Sequence, residues 1–82
     1  SLELLLTTLA TEAMMALGHL PHPTTGEATR RPNHAQYLID TIEVLKEKTA
    51  GNLTAEESQA IEGLLHQLKM AFVAGPPAPV DH

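Results

Sequence analysis

The histidines raise the first chemistry to weigh. His19 and His22 are separated by two residues in "GHLPHP", and His34 and His66 could approach them in a fold, a set that suggests metal ligation. The pattern is loose. Gly18, Pro21 and Pro23 put the pair in a loop without helical register, and no thiol or carboxylate completes a set. His66, four residues after Glu62, is explained by a surface ion pair. No metal ligand and no cofactor is therefore assigned. Nucleophilic catalysis would need Ser58 or a threonine on a sharp strand-to-helix turn beside a base, and no strand is predicted. Arg30 and Arg31 suggest an anion at the start of a helix, but Pro32 removes an amide donor there.

Residues 47–57, "EKTAGNLTAEE", mix the residue types of a phosphate loop with those of a corner between helices. A phosphate loop needs several glycines and a lysine aimed at the anion from the following helix. Here Lys46 and Lys48 suit the carbonyl end of the preceding helix, and Gly51 suits the positive φ that follows such an end. Thr54 and Glu57 have the spacing of a capping box. The stretch is a corner.

These residues need elements to hold them, and composition limits which. At 82 residues the chain can form one domain with a small core, and it has no cysteine to cross-link it. Lys and Arg total 5 against 10 Asp and Glu, a formal charge of −5, which opposes binding to nucleic acid or to anionic membrane. One Tyr and one Phe are too few for a base-stacking or sugar-binding surface. Glu3 and Glu12 interrupt the apolar opening, and no basic residue precedes it, so neither a secretory signal nor a membrane span is expected. A cytoplasmic location follows as the expectation. A chain this short rarely encloses a pocket able to shift a pKa, so no enzymatic activity and no catalytic residue is expected.

Three segments carry the helical period. Leu2, Leu5, Leu6, Leu9, Ala10, Ala13, Ala16 and Leu17 share one arc of a first helix over residues 2–17, ended by Gly18. Residues 19–32, with three prolines, form an extended loop, the first place to look for a site. A second helix starts near Asn33 as its cap and aligns Ala35, Leu38, Ile39, Ile42 and Leu45, with Gln36, Asp40, Glu43 and Glu47 as its solvated side. A third helix over 55–74 aligns Ile61, Leu64, Leu65, Leu68, Ala71 and Phe72. Gly63 within it suggests close approach of a neighbouring backbone.

Apolar residues overflow these arcs: Leu4 with Met15, Tyr37 with Val44, and Met70 with Val73. Singly they are ordinary surface features. Together, on a short chain without cross-links, they point to a homodimer. The fold expected is all-α, a three-helix unit of a helical hairpin plus an N-terminal helix that completes a helical bundle by dimerisation. It is a single helical domain over residues 1–74 with a disordered tail over 75–82. The function expected is a non-enzymatic self-associating module that presents its loop or its acidic helix face to a protein partner. The alternative is a small-ligand or metal-binding protein using the loop at residues 19–34.

Leu17 and Gly18, Pro21 to Glu27, Ile39 and Asp40, Glu47 to Thr54, and Leu64 to Val73 follow one another in an order that resembles the bacterial domain of unknown function family numbered 1844. The resemblance covers about residues 2–73. It implies a small all-helical protein and supplies no activity, cofactor or catalytic residue. Its loop pattern centres on prolines and Thr-Gly-Glu rather than on histidines.

Overall fold

A computed structural model describes residues 1–75. Three helices account for the fold: α1 (Leu2–Ala16), α2 (Pro32–Lys48) and α3 (Ala55–Ala74), each packing against both others. No helix among the described residues is long and apolar enough to cross a membrane. The expected tail lies outside the described residues except for Gly75, whose N–H donates to the Phe72 carbonyl as α3 ends.

Each helix starts and stops for a local reason. The Ser1 hydroxyl accepts from the Leu4 N–H at 3.2 Å and starts α1. At its other end the Gly18 N–H donates to the Met15 carbonyl and the His19 N–H to the Met14 carbonyl, both at 3.0 Å. This is the Schellman arrangement, and it needs the φ of 85° that Gly18 adopts without strain. The helix stops one residue short of the expected Leu17, which is its buried cap.

The start of α2 differs from expectation. Arg31, not Asn33, is the cap, with no side-chain cap bond, and Pro32 is the first helical residue. Proline has its φ already set for a first turn and lacks only an N–H that would be unsatisfied there, while forcing the residue before it out of helical geometry. Asn33 is thereby carried inside the helix.

The corner between α2 and α3 is as read. The Thr49 hydroxyl donates to the Leu45 carbonyl at 2.6 Å, and Gly51 takes φ 85°. Thr54 and Glu57 then form the reciprocal capping box: the Glu57 N–H donates to the Thr54 hydroxyl at 3.1 Å, and the Thr54 N–H to the Glu57 carboxylate at 2.9 Å.

The core is aliphatic. Leu6, Ala13, Ala16 and Leu17 meet Ala35, Leu38, Ile39 and Ile42 from α2 and Ile61, Leu65 and Leu68 from α3. Leu5, expected inside, is 44% exposed. The alanines of α1 narrow its buried arc to the line through Leu6, Ala13 and Leu17, and Leu5 stands about 100° round the helix from Leu6. Across the surface, Lys69 pairs with Glu43 at 2.7 Å and Lys46 with Glu62 at 3.4 Å. Glu43 is therefore drawn toward α3 instead of belonging to a purely solvated stripe, and Glu62 engages Lys46 rather than His66. Exposed pairs of this kind contribute about 0.2–1 kcal/mol each.

Gly63 also departs from expectation, since a Cβ built there meets nothing within 4 Å. No close approach requires the glycine. Gly63→Ala is expected to stabilise the domain by about 0.5–1 kcal/mol through helix propensity alone. Urea denaturation would show this as a raised midpoint with an unchanged slope.

Candidate functional site

The chain between α1 and α2 is closed at its base. The Arg31 N–H donates to the Ala16 carbonyl at 2.6 Å, and Leu17 and Arg30 form an isolated antiparallel bridge. Residues 18–29 thus form a compact loop with its two ends together, not the open extended segment expected.

Arg30 fixes this closure. Its guanidinium donates through Nη1 to the Leu17 carbonyl at 3.2 Å and through Nη2 to the Phe72 carbonyl at 3.3 Å. Its Cζ also lies 5.8 Å from the centroid of the Phe72 ring. Neither α1 nor α3 has a basic residue in its last turn. One side chain from the loop therefore brings positive charge to the carbonyl ends of both. Sequence reading passed over this role. The signal available was two helix ends without a cation and a loop arginine able to serve them.

Within the loop the bonds are local. The His22 N–H donates to the Glu27 carbonyl at 2.9 Å, and the Gly26 N–H to the His22 carbonyl at 2.7 Å. The Thr24 N–H donates to the imidazole Nδ1 of His22 at 3.1 Å, and the Glu27 N–H to the Thr25 hydroxyl at 3.3 Å. Gly26 sits at φ 73°, which a larger residue would resist. His22 thus accepts at Nδ1, which places the proton of its neutral ring on Nε2.

The four candidate histidines do not converge. His22 and His34 line one cleft; His34 also stacks on Tyr37, with ring centroids 6.2 Å apart. His19 lies outside that cleft, its Nε2 buried without a hydrogen-bond partner among the described residues. His66 is on the exposed side of α3. Among the described residues no group of three or more His, Cys, Asp or Glu side chains is placed to hold a metal ion. Ser58, at the α2–α3 corner, has no histidine beside it in the cleft it lines.

The cleft under the loop encloses about 450 Å³. Met15, Ala16 and Leu20 supply its apolar lining, and Glu12, His22, Thr25, Glu27, Thr29, Arg31 and His34 its polar lining.

A three-helix all-α domain with a strapped loop is the class that this geometry defines. The family described as Domain of unknown function (DUF1844) matches residues 1–74, and the chain belongs to it. No curated protein and no solved structure matches the chain. The Thr25-Gly26-Glu27 run that carries part of the family resemblance is the self-bonded turn of the loop.

Replacing Arg30 by Ala removes two charged hydrogen bonds and a ring contact, and is expected to destabilise the domain by about 2 kcal/mol. Arg30→Lys is expected to recover less than half of this, because one ammonium cannot fork to two carbonyls in the guanidinium's geometry. Thermal denaturation followed by circular dichroism would rank the three proteins.

Proposed function

We propose that the domain is a non-enzymatic module that associates with a second copy of itself through the outer face of α1 and α2. The observation that carries this reading is apolar surface. Leu4 is 65% exposed, Tyr37 64% and Val44 50%, and Leu5, next to Leu4 in sequence, is also exposed.

These residues share a side of the molecule. Glu43 and Lys46 reach across to α3, and Tyr37 and Val44 stand about 100–180° round α2 from them. On α1, Glu3, Leu6 and Thr7 line a cleft shared with α3; Leu5 stands roughly 100–160° round from these residues, and Leu4 as near as roughly 60° to Thr7. Leu5, Tyr37 and Val44 therefore turn away from α3, toward the face formed by α1 and α2, with Leu4 at its margin. Met70 and Val73, also exposed, belong to the outer side of α3. Met15, counted with the surplus in sequence, is half-buried in the cleft under the loop.

The three helices already pack pairwise, so association would use this outer face rather than a vacant position in the core. Returning a half-exposed aliphatic side chain from water contributes about 1 kcal/mol, and a two-fold contact counts each residue twice. Several such residues per copy reach the range of the about 4–15 kcal/mol that association costs, which favours a weak dimer over a permanent one. The loop stays free to meet a protein partner, whereas Asp40, three residues from Tyr37 and four from Val44, borders the self-association face.

Sedimentation velocity across micromolar to millimolar concentration tests the reading. A mass rising from one chain to two is expected, with Tyr37→Glu and Val44→Glu each holding the protein at one chain and Met70→Glu leaving the rise intact. A single-chain mass throughout would refute it.

A further inference from the structure

The cleft under the loop holds charges of both signs that do not pair with one another. Arg31 lines it from the cap of α2, Glu12 from α1 and Glu27 from the turn of the loop. The ion pairs among the described residues are Lys46 with Glu62 and Lys69 with Glu43, so neither Arg31 nor either glutamate has an ionic partner there. Each of the three is anchored by a different backbone feature: the Arg31 N–H is bonded to Ala16, the Glu27 carbonyl and N–H are engaged inside the turn, and Glu12 is within a helix. The backbone thus fixes where each side chain starts, and all three side chains are exposed.

We propose that this cleft binds a small zwitterion, an α-amino acid with an apolar side chain. A simple anion would meet Arg31 but be opposed by Glu12 and Glu27; a simple cation would meet the reverse. A molecule carrying a carboxylate and an ammonium group satisfies both edges at once. Its carboxylate belongs toward Arg31, where α2 begins with no side-chain cap and no acidic residue in its first turn. Its ammonium belongs toward Glu12 and Glu27. Thr25, Thr29 and the rings of His22 and His34 supply further hydrogen-bonding groups in the lining. The lining of Met15, Ala16 and Leu20 takes the apolar side chain, and about 450 Å³ is of the size that small-molecule sites use. Tyr37, Val44, Leu4 and Leu5 do not line the cleft, but its His34 stacks on Tyr37, so binding is read at concentrations where the protein is a single chain.

Nuclear magnetic resonance titration of the isotope-labelled full chain with each common amino acid would test it, with propionate and propylamine as single-charge probes. The expected result is saturable shifts at the Met15, Leu20, Thr25 and Arg31 amides with leucine, valine or methionine, and binding at least about tenfold weaker for both single-charge probes. Arg31→Gln and Glu27→Gln each remove one charge from a side chain without a hydrogen bond among the described residues, so both should keep the fold by circular dichroism while weakening binding about tenfold. Absence of saturable shifts at these amides with every amino acid would overturn the proposal. So would wild-type affinity in either folded variant, or propionate binding as tightly as the amino acids, which would make the cleft an anion site.

Discussion

The arrangement depends on one guanidinium. Without Arg30, the carbonyl ends of α1 and α3 would present their partial negative charge side by side, and among the described residues only the Gly75 N–H would meet the last turn of α3 from beyond the helix. A cation placed between the two ends converts a mutual repulsion into a shared attraction. Because that cation comes from the loop, the same contact fixes where the loop returns. The Leu17 to Arg30 bridge and the Arg31 to Ala16 bond can then form, and α2 starts in the position they dictate. Helix packing and loop closure are in this way one event. Phe72 adds to it, since its carbonyl accepts from Arg30 while its ring lies beside the guanidinium.

A core so small has to be narrow to be complete. Ala13 and Ala16 on α1 and Ala35 on α2 are fully or nearly fully buried, and their size allows the helices to approach without large side chains between them. The large side chains that are fully buried, Leu6, Leu17, Ile39, Ile42, Ile61 and Leu68, then close the interior, with Phe72 partly buried against it. The cost of this narrowness is that other apolar residues have no room inside. Leu5 shows the effect most directly, because its place in the period is apolar and its place in the packed helix is at the margin.

Features governed by neighbours in the sequence were the legible ones. The α2–α3 corner could be read residue by residue, because a capping box and a terminal glycine act over three or four positions and tertiary contacts do not alter them. The same holds for Gly18 at the end of α1. The Asn33 cap was misread by favouring a common cap residue over the stronger constraint of Pro32 one position earlier. Arg30 was not legible by such rules, since its partners lie 13 and 42 residues away. The cleft was legible only as a loop worth attention. Its lining joins Glu12 and Met15 to Arg31 and His34, and no spacing in the sequence announces that these residues share a space. His19 illustrates the converse: a histidine singled out for its spacing to His22 has its Nε2 buried outside the cleft that His22 lines.

What separates the loop from an ordinary connection is the amount of bonding spent on holding its shape. A flexible link between two helices needs none of the bonds among His22, Thr24, Thr25, Gly26 and Glu27, and fixing these residues costs conformational entropy that a mobile chain would retain. Local bonds of modest strength offset that cost only when several act together and the ends are already pinned. Arg30 supplies the pinning, and the turn supplies the rest. The result is a polar side to the cleft that Met15 and Ala16 line from α1. Preorganisation of this kind lowers the ordering cost of binding, whatever the ligand, and it is a property that the core alone does not require.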